Sequence, residues 1–230
     1  MQSTHKWWSA FGVDNDLGVV NHVPISDRGA LLDPPTADVS ARCISFLCQL
    51  GHPEDRPVID KALEYLRKEQ EKEGCWFGRW GTNYIYGTWS VLCALNIAGI
   101  AYDDPMVKRA VNWLEDIQRS DGGWGEDCAT YEGAPPGIYK ESLPSQTAWA
   151  VLALMAVGRR DSEAVKRGIN FLMSQQDENG EWQEEAYNAV GFPKVFYLRY
   201  HGYKQFFPLQ ALSRYRNLGT SNTGRVEYGF

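Results

Sequence analysis

The chain has 230 residues, 43% of them hydrophobic, enough for one sizeable core, and no low-complexity linker divides it. A net charge of −6 with scattered basic residues argues against nucleic acid as a partner, because phosphate binding needs a basic face. Five cysteines, Cys43, Cys48, Cys75, Cys93 and Cys128, are odd in number and form no CxxC pair, so neither a disulfide framework nor a zinc knuckle is indicated and a reducing compartment fits.

Along the chain, two kinds of helix are expected to alternate. Segment 38–50, with Val39, Cys43, Ile44, Phe46, Leu47 and Leu50, reads as an inner helix. Segment 57–70, opened by Pro57, is amphipathic and so has one wet face. Val91 to Leu95 is apolar nearly all round, which requires burial on every side. Asp104 and Pro105 form a cap and first-turn pair that starts 105–118, where Met106, Ala110, Trp113 and Ile117 mark one stripe and Lys108, Arg109, Glu115 and Asp116 lie elsewhere. Ala148 to Met155 is again apolar all round, and 162–176, opened by Asp161, is again amphipathic. Phe192 to about Tyr203 is expected as a fourth inner helix and about 206–217 as the last outer one. Helices that are buried on all sides yet too short to span a bilayer, which takes roughly 18 apolar residues, are best placed as the inner ring of an all-α, α/α barrel.

Between these helices a motif recurs: a glutamine, a small loop, and a tryptophan six positions on. Three copies share one form: Gln70 with Gly74 and Trp76, Gln118 with Gly122 and Trp124, and Gln176 with Gly180 and Trp182. A fourth pairs Gln2 with Trp8 and carries Lys6 in place of the glycine. Spaced internal copies mean stacked supersecondary units. A closed toroid of this type usually has about six helices in each ring, whereas about four of each are read here, and no helix precedes the first motif; the barrel is therefore expected to be incomplete at its N-terminal side.

The chain resembles the squalene-hopene cyclases, within the triterpene cyclases. The resemblance covers essentially the whole chain and rests on the glutamine-tryptophan repeat together with Asp33-Pro-Pro-Thr-Ala-Asp38-Val-Ser-Ala-Arg42, Trp76-Phe-Gly-Arg-Trp80-Gly-Thr-Asn-Tyr84-Ile-Tyr86, Gly123-Trp-Gly-Glu-Asp127-Cys, Pro144-Ser-Gln-Thr-Ala-Trp149 and Gly191-Phe192-Pro-Lys-Val-Phe196-Tyr-Leu198-Arg-Tyr200. It implies that each motif ties one helix end to the next helix, with the tryptophan ring on the glutamine amide. The residues agree, since the glycine permits the tight turn and the amide can serve free backbone groups at a helix end.

The resemblance also gives the 13% aromatic content a purpose. Such enzymes protonate a terminal double bond of squalene and let a carbocation run through successive ring closures, and aromatic faces stabilise a cation without quenching it. By position in the family motifs, Trp80, Tyr86, Phe192, Phe196, Tyr200 and Tyr203 are implied as pocket lining, with Leu198 shaping it and Phe11 at a site usually aromatic. Ordinary core packing is the alternative for several of these aromatics. Asp38 and Arg42 stand one helical turn apart and can pair; in the family this segment faces the site and its basic member orients the acid.

The family acid, Asp-x-Asp-Asp, occurs nowhere in this sequence. No catalytic residue is therefore assigned, and the expectation is the C-terminal part of the barrel domain over 1–230, inactive without an N-terminal half that bears the acid. A protein prenyltransferase β-like subunit would need a zinc site, for which His5, His22, His52 and His201 offer no suitable spacing; a non-catalytic α/α-toroid partner module is the third reading. No metal and no cofactor are expected. The partners expected are a squalene-like isoprenoid, a membrane surface and the missing half. Uncovered apolar sides around Val91–Leu95 and Ala148–Met155 would send the chain to partners or membranes, and the resemblance implies a monotopic protein, expected on the cytoplasmic side of a membrane.

Overall fold

The computed structural model describes Trp8, residues 34–221 and residues 223–227. Its described elements are seven α-helices, one small hairpin and two short 3-10 helices (Pro53–Asp55 and Cys128–Glu132): α1 Ala37–Leu50, α2 Arg56–Lys68, α3 Tyr84–Ile97, α4 Pro105–Asp116, α5 Pro144–Ala156, α6 Glu163–Ser174, β1 Ala189–Phe192, β2 Phe196–Leu198 and α7 Tyr203–Thr220. Helices α1, α3, α5 and α7 pack in that order as an inner layer, while α2 lies on α1, α4 on α3, and α6 on both α5 and α7. This is the alternation of an α/α toroid.

The layers follow from where the apolar residues stand. In α3 and α5 every residue from Val91 to Leu95 and from Ala148 to Met155 is buried, because an inner helix on each side and an outer helix behind leave no face for water. In α2, α4 and α6 only one stripe is buried, such as Met106, Val107, Ala110, Val111, Trp113 and Leu114 of α4. Asp104 caps α4 by accepting from the Met106 N–H, and Pro105 occupies the first turn, where a missing N–H costs nothing. The cap of α6 is Ser162, whose hydroxyl accepts from the Val165 N–H, and not Asp161.

The motif joins the layers by hydrogen bonds that repeat from copy to copy. Trp76 Nε1 donates to the carbonyl of Leu66 at 2.7 Å, a last-turn carbonyl of α2 that the helix leaves without a partner. Gln70 Nε2 donates to the carbonyls of Gly74 at 2.8 Å and of Met106 at 2.9 Å, the latter in the first turn of the next outer helix. Gln118 does the same toward Gly122 and Ala164. At Gly74 and Gly122 φ is +104° and +91°, and a Cβ there would meet a backbone oxygen of the next outer helix at 2.5 and 2.7 Å, so both the turn and the close approach require glycine. The backbone N–H of each motif tryptophan, Trp8, Trp76, Trp124 and Trp182, donates to an inner helix, to Ser40 of α1, Thr88 of α3, Thr147 of α5 and Gln205 of α7 respectively.

Two expectations are corrected. Residues 192–203 are not helical: Gly191 and Pro193 flank Phe192, Lys194 turns at φ +66°, and the segment forms the antiparallel hairpin β1–β2, since a residue before proline is driven to extended backbone. The following helix runs 203–220 and is an inner helix rather than an outer one, packed on α5 and α6. Its Gln205 occupies the place of Thr88 and Thr147, so a hairpin-bearing loop, not a helix, bridges the third motif to its inner helix. The second correction concerns the uncovered surface. Val91–Leu95 and Ala148–Met155 are covered, and the exposed apolar side chains on helices are Phe46 and Leu50 of α1, Phe206 and Leu209 of α7, and Met173 of α6.

Candidate active site

Three inner helices bring their aromatic residues together. Tyr86 and Trp89 lie one turn apart on α3, Tyr203 and Phe207 one turn apart on α7, and Trp149 of α5 stands between the two helices. The Trp149 ring is 5.1 Å from Tyr86, 6.0 Å from Trp89 with planes only 8° apart, 5.9 Å from Tyr203 and 5.4 Å from Phe207. Tyr200 extends the group by packing 5.0 Å from Tyr203. These separations are those of favourable edge and offset contacts between rings. Burial pushes the Tyr86 hydroxyl up to about 12, so it stays a neutral phenol near pH 7.

Helix α1 supplies the charged groups. The Arg42 guanidinium lies 4.2 Å from the Trp89 ring centroid and 5.9 Å from that of Tyr86. Asp38, one turn earlier, is buried and accepts from the Thr36 hydroxyl, the Val39 N–H, and the N–H groups of Arg79 and Trp80, the last two both at 3.0 Å. Burial raises the pKa of its carboxyl, and those four hydrogen bonds oppose the rise. Asp38 thereby fixes the loop that carries Trp80. Across that loop Arg79 stacks 4.3 Å from the Trp80 ring and 5.7 Å from Phe192, and donates to the Gly191 carbonyl at 3.0 Å, linking the loop to the hairpin.

Two further buried carboxylates hold inner-helix ends. Glu126 accepts from the N–H groups of Asn83, Ile85 and Gly137, and so caps α3. Glu184 accepts from the N–H and hydroxyl of Ser145 in the first turn of α5 and from the side chain of Asn188. Burial raises both pKa values. Neither acid figured among the residues singled out from the sequence, although each stands two positions after a motif tryptophan, Trp124-Gly-Glu126 and Trp182-Gln-Glu184, and that repeat was the signal available.

Of the residues implied as pocket lining, Tyr86 and Tyr203 join the aromatic group, while Trp80 and Phe192 meet at Arg79 beside the Asp38 loop. Phe196 packs on Phe192 at 5.5 Å. Phe196 and Tyr200 are nevertheless 45% and 48% exposed, and Leu198 is half-buried in β2, so the hairpin side of the wall faces outward among the described residues. Gln2 and Phe11 lie outside the described residues. Trp89, Trp149 and Phe207, which complete the aromatic group, were not assigned to the pocket from sequence; their helical spacing alone does not separate a pocket face from core. Among the described residues no three His, Cys, Asp or Glu side chains gather as a metal site, and no helix is long and apolar enough to cross a membrane. A solvent-open cleft of about 500 Å³ beside the C-terminal half of α7, lined by residues that include Gln210, Arg214, Leu218 and Val226, contains none of these aromatics.

An inner layer of apolar helices, bound to an outer layer by glutamine-tryptophan turns and presenting clustered aromatic rings, defines a terpene-cyclase type of α/α toroid. The chain belongs to the squalene-hopene cyclase C-terminal domain family, whose model matches residues 1–217. It is 65% identical over 230 residues to the squalene-hopene cyclase of Schizosaccharomyces japonicus and 55% identical over the same length to that of Zymomonas mobilis, each match covering all of this chain and 35% of the relative. The chain thus spans about a third of the length of these relatives. Among solved structures, the ent-copalyl diphosphate synthase from Streptomyces platensis shares the fold, with a TM-score of 0.58 over 82% of this chain and 34% of that one at 21% identity.

Proposed function

We propose that the chain is the C-terminal part of the α/α-barrel domain of a squalene-hopene cyclase, contributing the aromatic wall over which a squalene-like isoprenoid cyclises to hopene or hopanol through carbocations. The observation that carries this reading is the ring group built from Tyr86, Trp89, Trp149, Tyr203 and Phe207 on three neighbouring inner helices. Ring faces attract a carbocation without capturing it. Tyr86 stays protonated, so it presents no phenolate to quench the cation, and the four hydrogen bonds described at Asp38 draw its oxygens toward backbone and Thr36. With no Asp-x-Asp-Asp in the sequence, the initiating proton must come from a segment that this chain does not contain.

The direct test is an anaerobic incubation of the purified chain with detergent-dispersed squalene, followed by mass spectrometry. No cyclised product is expected above a no-protein control. Adding the N-terminal two-thirds of a close relative in trans should restore turnover. Product from the chain alone would sink the reading that the acid lies elsewhere. The exposed Phe206 and Leu209 of α7 and Phe46 and Leu50 of α1 support monotopic attachment at the cytoplasmic face of a membrane. Flotation with liposomes, lost on Phe206→Ser/Leu209→Ser, is the corresponding test; a chain that stays with the soluble fraction at every lipid concentration argues against attachment.

A further inference from the structure

Asn188 lies between the loop that carries Trp80 and the loop that carries Tyr200. It is buried, and every polar group it owns is engaged. Its side-chain oxygen accepts from the Tyr200 N–H at 2.9 Å while its side-chain nitrogen donates to the Tyr200 carbonyl at 3.3 Å, so one amide grips both backbone groups of a single residue. The same nitrogen donates to Glu184 at 3.3 Å, and Glu184 in turn holds Ser145 at the start of α5. On its backbone, Asn188 N–H donates to the Leu198 carbonyl and Asn188 C=O accepts from Thr82 N–H; next to it Val190 N–H donates to the Trp80 carbonyl. The segment 188–190 is thus the middle strand between the Trp80 loop and the Tyr200 loop, and α5, which carries Trp149, is tied to it through Glu184.

We propose that Asn188, backed by Glu184, is a positioning residue that sets where Tyr200 stands relative to Tyr203 and the Trp149 group. The proposal rests on the reading of those rings as a cyclisation pocket and adds to it a residue that touches no substrate. A carboxamide is required because the position needs an acceptor for the Tyr200 N–H and donors for both the Tyr200 carbonyl and the Glu184 carboxylate at once. An aspartate of the same shape loses both donors and sets two carboxylates side by side. Exchanging the pair, glutamine at 184 and aspartate at 188, restores one donor and one acceptor between them.

The test labels the chain with 3-fluorotyrosine and follows the Tyr200 fluorine resonance, assigned by its loss in Tyr200→Phe. Asn188→Ala and Asn188→Asp should each shift and broaden that resonance while the resonances of Tyr65 on α2 and Tyr102 in the turn between α3 and α4 stay in place. Glu184→Gln/Asn188→Asp should return more than half of the shift seen in Asn188→Asp. A Tyr200 resonance unmoved in Asn188→Ala, or a double variant that recovers nothing, overturns the proposal. The unmutated chain supplies a measurement that needs no variant to fold: the Tyr200 amide, bonded to Asn188, should exchange with solvent at least about tenfold slower than an open amide, and exchange at the open rate overturns the proposal. In the trans-complemented squalene assay, Asn188→Ala should raise the share of incompletely cyclised products at least about threefold with total turnover little changed. A moved resonance with an unchanged product ratio removes Asn188 from the reaction while leaving the cyclase reading intact, whereas absence of turnover with the unmutated chain counts against the cyclase reading itself.

Discussion

The indole nitrogen of Trp124 lies 2.7 Å from the carbonyl oxygen of Leu114, ten residues earlier, and the same bond at the same length joins Trp76 to Leu66 and Trp182 to Leu172. Each outer helix therefore has one orphan carbonyl of its last turn satisfied by a side chain from beyond the turn. That single bond closes the loop of the motif, and its constancy explains why the tryptophan falls six positions after the glutamine in these three copies.

Trp124→Phe keeps most of the ring but removes the N–H, leaving the Leu114 carbonyl buried without that donor. The expected loss of stability is about 1–3 kcal/mol, the cost of an unsatisfied buried group. Trp124→Ala adds a cavity and should cost about 3–5 kcal/mol. Urea denaturation of both variants checks the order; a Phe variant as stable as the parent would show that the N–H contributes nothing.

Gly122→Ala and Gly180→Ala separate two requirements that the motif glycine meets. Both residues have positive φ, +91° and +79°, so alanine is strained at either by about 1–2 kcal/mol. At Gly122 the new Cβ also meets the Arg167 carbonyl at 2.7 Å, whereas at Gly180 its nearest neighbour, the Gln176 side chain, is 3.7 Å away. Gly122→Ala should therefore be the more damaging, and equal denaturation midpoints would mean that the approach of α6 has no energetic weight.

Glu126 gives a pH prediction. Burial raises its folded pKa above the unfolded value of about 4.5, so between those values the folded state binds more proton than the unfolded state. Its contribution to stability is complete below the unfolded pKa and is lost as pH rises through the folded one. Glu126→Gln should flatten this part of the stability profile. It should also destabilise the fold by about 1–3 kcal/mol, because the amide NH2 must face backbone N–H donors of Asn83, Ile85 or Gly137. Urea midpoints at pH 5 and pH 7.5 for parent and variant test both statements, and a parent-minus-variant difference that grows with pH contradicts the sign.

Asp104 has two roles that substitution can divide. It caps α4 through the Met106 N–H, and it forms a two-point pair with Arg67 of α2 at 3.0 and 3.2 Å. Asp104→Asn keeps a capping oxygen and should cost under about 1 kcal/mol, in keeping with a partly exposed pair. Asp104→Ala removes the cap as well and should cost about 1 kcal/mol more. Indistinguishable thermal midpoints for the two would assign the whole effect to the ion pair.

The sequence alone determined the architecture, because its signals are local. The all-round apolar runs of α3 and α5, the one-sided stripes of α2, α4 and α6, and the tryptophan six residues after each glutamine all act within one or two turns of chain, where periodicity dictates which faces must be buried. The resemblance likewise singled out Tyr86 and Tyr203, which pack against Trp149, whereas Trp80 instead meets the Arg79 guanidinium. What the tertiary structure decided depends on partners distant in sequence. Residues 192–203 carry enough apolar side chains for a helix, yet Val190 pairs with the Trp80 carbonyl and Tyr197, and Pro193 with Lys194 at φ +66° makes the turn. Trp149 acquired its place in the ring group only when α3 and α7 closed on α5 from either side. Asn188, Glu126 and Glu184 are ordinary polar residues in the sequence, and become structural centres only because hydrogen bonds spanning 41 residues, as from Ile85 to Glu126, or 39, as from Ser145 to Glu184, bring unpaired backbone groups to them inside a dry core.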